Sequence, residues 1–228
     1  VRVIVLTGAG RGFCAGADVT ALSGIAERPD DSTRRMQAAR GGPYAAMGAR
    51  SDFEHRFAYI ASIPRPIIAA INGPVAGLSL VIALYCDMRF AAHGAKLGTA
   101  FARRGLIAEH GISWTLPRVV GHSNALDLLM SGRMIDAEEA LRMGLVTRVM
   151  PQQGFMADVR AYATEMATLA SPRSARIMKQ QIYDAEFQTL GEAIRTADGL
   201  MQDSFKSEDF KEGVAHFVEK RAPKFTGR

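Results

Sequence analysis

The alternation of apolar and polar positions changes character once along the chain. Up to Pro151, short β-branched or unbroken apolar runs alternate with helical stretches; from Gln152 onward apolar residues recur only at helical spacing. Residues 1–6 form a β-branched run ending at Thr7-Gly8-Ala9-Gly10, which predicts a fully buried strand feeding a loop. Ser51-Asp52-Phe53-Glu54 has capping-box spacing, and Phe53, Phe57 and Ile60 follow at helical intervals, predicting one helix that stops at Pro64. Ile67–Ile71 predicts a second buried strand. After the Asn72-Gly73-Pro74 turn, residues 77–84 are apolar nearly all round, as suits a helix without a solvent face. Met88–Ala92 and Lys96–Gly98 predict short strands, residues 112–119 and 123–130 two helices parted by Gly121, and Asp136 the cap of a helix stopping at Gly144. Residues 145–150 predict a last strand. Ser171-Pro172 then reads as an N-cap with proline at the first helical position. Strands alternating with helices, followed by helices alone, argue an α/β core over residues 1–151 and a helical region over residues 152–228.

Composition narrows the chemistry without choosing it. The 228 residues are 48% hydrophobic and 22% charged, with mean hydropathy +0.01, values of an ordinary globular domain. Cys14 and Cys86 are too few for a disulfide framework and point to a reducing compartment, so a cytoplasmic location is expected. No signal-peptide pattern opens the chain, and the uncharged stretch of residues 66–86 is divided by its turn into strand and helix, so no membrane span is expected. The net charge of +5 suits an anionic small molecule as well as nucleic acid. Aromatics, at 7%, do not interleave with Arg34, Arg35 and Arg40 or with Arg103-Arg104, so stacking platforms for nucleic acid are lacking. Residues 27–50, rich in Arg, Asp, Gly and Ala with no apolar period, read as a mobile loop or lid.

The five histidines show no ligand spacing, so no metal is expected. Gly8-Ala9-Gly10 lacks the third glycine of a dinucleotide fingerprint, since Phe13 stands there, and neither a P-loop nor a GxSxG elbow occurs. Two segments carry more. Gly12-Phe13-Cys14-Ala15-Gly16-Ala17-Asp18 and Asn72-Gly73-Pro74-Val75-Ala76-Gly77-Leu78 each combine a strand, a turn of small residues and a helix start. Such turns leave backbone N–H groups free where the helix dipole favours negative charge. The competing reading is tight strand–helix packing by small residues.

These segments belong to a series of ordered blocks: GFCAGAD, PRPIIAAINGPVAGLSLVIALYCDMRFAA, GLIAEHGISWTLPRVVG, SGRMIDAEEALRMGLVTRVMP and EGVAHFVEKRAPKFTGR. Through them the sequence resembles the crotonase superfamily, the enoyl-CoA hydratase/isomerase family, over nearly its whole length. The resemblance implies a spiral of ββα turns and a C-terminal helical trimerisation region, hence a homotrimer or dimer of trimers. It implies an acyl-CoA thioester as substrate, with CoA part of that substrate and no separate cofactor. Full-length relatives carry strands and a helix before the Val1 strand, so an upstream part of the core is expected to be missing and a strand edge exposed.

Carried over position by position, the family's oxyanion-hole N–H donors correspond to Ala17 and Leu78. Proton movement beside a thioester carbonyl places negative charge on its oxygen, and losing one preorganised donor typically costs about 2.7–4 kcal/mol of barrier. Substrate contacts are also expected at Ala15, Gly77 and His110, the last beside Glu109 and placed to assist it. Phe217 and Lys220 match positions that reach into a neighbouring subunit's CoA site, the competing reading being a solvated helix end. Arg11 is a further anion contact. Hydratases of the family use two glutamates, and here Val81 and Phe101 occupy those positions. Glu109 matches a position where other branches hold a catalytic aspartate, and its competing reading is a cap for the helix starting near Gly111. Asp18 and Asp87 read as backbone hydrogen-bonders and Trp114 as core. The expected activity is that of a lyase or isomerase working through a thioester enolate with Glu109 as the proton carrier. A non-catalytic acyl-CoA-binding homologue and an acyl-CoA thioester hydrolase are the alternatives.

Overall fold

β1 (Ile4–Thr7), β2 (Ile67–Ile71), β4 (Met88–Ala92) and β7 (Arg148–Met150) form a four-stranded sheet in that order in the computed structural model, which describes residues 1–16, 23–24, 27 and 50–228. β3 (Val75–Ala76), β5 (Lys96–Gly98) and β6 (Met134–Asp136) form a second sheet. β3 pairs with β5 and β4 with β7 in parallel, while β5 and β6 run antiparallel. The chain therefore gives one strand to each sheet before each helix: β2 and β3 precede α2 (Leu78–Leu84), and β4 and β5 precede α3 (Ile112–Val120). Cys14 extends the pattern backward by a parallel bridge to Val75. This is the ββα spiral expected of the sequence.

Burial explains why these runs become strands. All five residues of β2 are buried, as an unbroken apolar run in a parallel sheet should be, and so are four of the five in β4, including Arg89, whose guanidinium donates to the Leu145 and Cys86 carbonyls at 2.8 Å. Phe90, Leu97, Leu80, Val81, Ile112 and Leu116 are fully buried, each stabilising the fold by about 1.5–3 kcal/mol. Further helices follow: α1 (Tyr59–Ser62) lies before β2, and α4 (His122–Ser131) and α5 (Ala137–Arg142) follow α3. Asp136 caps α5 as predicted, accepting the Glu139 N–H at 2.8 Å.

The contacts divide the chain into two compact units. One comprises residues 6–63 and 69–156 and holds the second sheet and most of the first; the other comprises residues 1–5, 64–68 and 157–228. The second contains most of α6 (Phe155–Leu169) and all of α7 (Pro172–Ala185), α8 (Leu190–Phe205) and α9 (Glu208–Glu219). Ser171 caps α7, accepting the Ser174 N–H at 3.0 Å with proline next in sequence.

Some expectations are corrected. β1 starts at Ile4 and is half-exposed rather than buried, because it is an edge strand. The single helix expected after Ser51 is broken: Ser51–Phe53 forms a 3₁₀ turn without a side-chain cap, Phe57 takes a left-handed φ of 70°, and only Tyr59–Ser62 is α-helical. The last strand is three residues long, with Leu145 and Val146 buried in the approach to it. β6 was hidden by its brevity. The expected loop or lid lies outside the described residues save for its ends, as do Arg34, Arg35 and Arg40.

Candidate active site

Backbone hydrogen bonds bring the two glycine-rich segments together. Phe13 and Cys14 N–H groups donate to the Pro74 carbonyl at 3.1 and 3.2 Å, and the Ala76 N–H donates to the Cys14 carbonyl at 3.3 Å. Gly16 has a φ of 96°, and a Cβ there would stand 2.7 Å from the Ala76 carbonyl oxygen and 4.0 Å from the Leu78 nitrogen. Only glycine fits on both counts. Gly77 precedes α2 with φ 60° and ψ −126°, and its N–H donates to the Gly98 carbonyl at 3.0 Å. This turn presents the Leu78 N–H, first of the helix, with no acceptor among the described residues. Ala17, the partner donor expected from the sequence, and Asp18 lie outside the described residues. Ala15 is exposed beside Gly16, and Arg11 is exposed in the preceding loop.

Two polar groups hold this arrangement, half-buried Asn72 and buried Ser79. Asn72 is more than turn chemistry: its amide donates to the Gly10 carbonyl at 3.0 Å and its Oδ1 accepts the Gly8 N–H at 3.1 Å. It ties the first loop to the second turn. Ser79 is the other; its signal was a lone hydroxyl in a helix otherwise apolar all round.

Val81 and Phe101, standing where the family's hydratases have glutamates, are both buried in the core. Glu109 sits elsewhere, in the turn before α3. Its side chain is 35% exposed, and Oε2 lies 3.9 Å from His110 Nε2. Gly111 occupies the N-cap of α3, which has no side-chain cap hydrogen bond, and Glu109 stands two residues before it. His110 takes a φ of 53° and Gly111 a φ of 78°. Tyr85, at the end of α2, donates its hydroxyl to the His110 carbonyl at 2.8 Å and fills the place a Gly111 Cβ would need. Burial pushes the Tyr85 phenol up, so it remains a donor. Burial pushes the His110 imidazole below its ordinary value; the Glu109 carboxylate acts the other way and Arg56 adds to the depression. The ring also meets Phe57 edge-on at 5.3 Å. Trp114, half-buried, stacks under Arg118 at 4.0 Å.

Phe217 and Lys220 lie in the helical unit at the end of α9. Phe217 is 80% exposed, and Lys220 closes the helix in the left-handed conformation. Among the described residues no group of three His, Cys, Asp or Glu could hold a metal ion, and no helix is long and apolar enough to cross a membrane.

A ββα spiral over two sheets, with paired glycine-rich turns, defines a crotonase fold. The chain belongs to the enoyl-CoA hydratase/isomerase family, whose model matches residues 1–228. It is 32% identical to 1,2-epoxyphenylacetyl-CoA isomerase of Escherichia coli over all of this chain and 82% of the relative. It is 36% identical to a probable enoyl-CoA hydratase of Rhodobacter capsulatus, covering 100% of this chain and 82% of that one. Among solved structures, enoyl-CoA hydratase from Bacillus anthracis superposes with a TM-score of 0.85 at 30% identity, covering 100% of this chain and 82% of the other.

Proposed function

We propose that this chain is an acyl-CoA lyase or isomerase in which the Ala17 and Leu78 N–H groups stabilise a thioester enolate and Glu109 carries the proton. Glu109 takes a proton from a carbon in conjugation with the thioester carbonyl, the electron pair moves onto the carbonyl oxygen, and the proton returns at another carbon. The observation that carries this reading is the Leu78 N–H, without an acceptor among the described residues, beside Gly16, the residue preceding Ala17. Hydration by two glutamates has no support at buried Val81 and Phe101. The name of one relative, 1,2-epoxyphenylacetyl-CoA isomerase, supports a CoA thioester as substrate and rearrangement as reaction type. Ala15, Gly77 and His110 contact the acyl end; Phe217 and Lys220 serve the CoA of a neighbouring subunit, in a homotrimer or dimer of trimers. The exposure of Phe217 supports a contact beyond its own chain. CoA enters as part of the substrate, and no separate cofactor takes part. Two free cysteines support a reducing cytoplasm.

The test is Glu109→Gln against a panel of enoyl-, dienoyl- and aryl-CoA substrates. Affinity for the thioester is kept and turnover falls at least ~10²-fold, the usual contribution of a general acid–base group. Unchanged turnover removes Glu109 from the mechanism. Tight binding of the panel with no product from the unmodified chain favours a non-catalytic binder, and release of free CoA favours hydrolysis.

A further inference from the structure

Ser79 is 1% exposed in α2, surrounded along the helix by apolar neighbours. A buried hydroxyl is costly unless bonded, and serine is a mediocre helix former, so neither burial nor propensity accounts for it. Its bonds do. The hydroxyl donates to the Cys14 carbonyl at 2.6 Å, has the Ala76 carbonyl at 2.8 Å, and accepts the Ala76 N–H at 3.1 Å. With a single hydrogen it serves one carbonyl at a time, and the shorter contact spans from the second turn to the first.

We propose that Ser79 is a positioning residue for the thioester-oxygen site, clamping the turn of residues 14–16 to that of residues 76–78 and so fixing the Leu78 N–H. The inference rests on the acyl-CoA reading above. Ser79 is the next residue after Leu78, so any shift of its anchor moves that amide. An oxyanion donor works only when already aimed at the place where charge develops, about 2.7–3.1 Å away. Without the hydroxyl, the Cys14 carbonyl keeps only the 3.3 Å bond from the Ala76 N–H, and the other bonds joining the two segments run to the Pro74 carbonyl and to Asn72, farther along the chain from Leu78.

The probe is [1-¹³C]butyryl-CoA, which has no double bond to hydrate or shift. It is bound to the unmodified chain, to Ser79→Ala, to Ser79→Cys and to Val159→Ala, a core truncation in the helical unit. The carbonyl ¹³C resonance and the dissociation constant are read for each. The bound carbonyl moves downfield in the unmodified chain, as hydrogen bonding polarises it. Ser79→Ala loses most of that displacement with little change in dissociation constant, Ser79→Cys falls between, and Val159→Ala keeps it. With a turned-over substrate, kcat of Ser79→Ala falls about tenfold at steady KM, short of the ~10²–10³ lost when a donor is removed. Equal displacement in the unmodified chain and Ser79→Ala overturns the inference and leaves the acyl-CoA reading standing. If Ser79→Ala does not fold, equal displacement in Ser79→Cys overturns it likewise. No binding, or no displacement, in the unmodified chain overturns both.

Discussion

The sheet unit and the helical unit are held by different forces. In the first, conformation follows from burial and from backbones that approach too closely for any side chain: a Cβ at Gly8 or Gly73 would fall on a carbonyl of the neighbouring segment. In the second, α7 and α8 have no buried residue and α9 has only Asp209. These three helices are fixed at their ends instead, by Ser171, by the Thr189–Glu192 capping box and by Ser207, while α6 contributes buried Val159. A cap is worth about 1 kcal/mol, less than one buried leucine. Met178, Ile182, Leu190 and Phe217 meanwhile remain more than half exposed in the single chain. The lesson is that the sheet unit is stabilised from within, whereas the last three helices keep large apolar side chains exposed in the single chain, a surface that the proposed assembly would cover.

The largest effect that would sharpen this contrast is expected at Gly73. In Gly73→Ala the new methyl overlaps the Arg11 carbonyl and stands 3.0 Å from the Gly12 Cα, so the first loop must move. Chemical denaturation should show a loss of about 3 kcal/mol or more, at the upper end for an overpacked site. A loss under about 1 kcal/mol, within reach of a single cap, would erase the distinction between the units. In the helical unit the corresponding weak point is polar. Asp209 accepts from the Ser171 hydroxyl at 2.6 Å and from the Thr226 and Gly227 N–H groups at 2.8 and 3.0 Å, holding the terminal tail. Asp209→Ala should cost roughly 2–4 kcal/mol by stranding those donors. It should also raise proteolysis of the last residues, and a tail as protected as before would show that the carboxylate does not hold it.

The strands β2 and β4 and the helix caps at Asp136 and Ser171 were legible because each rests on a local pattern: a mainly apolar run, or a capping residue at its proper offset. Phe57 was not, since its left-handed backbone has no sequence signal and it interrupts what spacing alone makes one helix. β1 looked buried because a β-branched run says nothing about which strand becomes an edge. At the site, the glycine-rich segments could be read as facing turns, and the ordered blocks gave the family, but the groups joining them could not be seen. Ser79 bonds to Cys14 across 65 positions and Tyr85 to His110 across 25, distances at which no periodicity speaks. The loss of the glutamate positions to Val81 and Phe101 was readable only through the resemblance, and the structure adds that both are core.

The finest separation of the two units comes from acid. Glu212 accepts both terminal nitrogens of Arg221, at 2.5 and 2.8 Å, and the Lys224 N–H at 2.6 Å, which together hold its carboxyl down at about 2. Burial pushes the Asp209 carboxyl up, but its hydrogen bonds outweigh this and hold it below the usual range. Both groups stabilise the fold fully above the ordinary carboxylate pKa of about 4 and lose that contribution as pH falls through their lowered values. The helical unit should therefore begin to feel acid only as pH falls below about 4. His110 has the opposite charge type and the same direction of shift. Because its folded value lies below the ordinary ~6.5, the unfolded chain takes the proton first, and the sheet unit loses stability as pH falls below that point. Asparagine tolerates the left-handed backbone that His110 occupies and has no proton to take. His110→Asn should thus leave stability near pH 8 almost unchanged while flattening its slope between about pH 7 and 5, measured by denaturant titration across pH. If the slope survives in His110→Asn, the neutral imidazole is not what makes this unit sensitive to mild acid. The two units would then differ in how they pack but not in where along the pH scale they begin to fail.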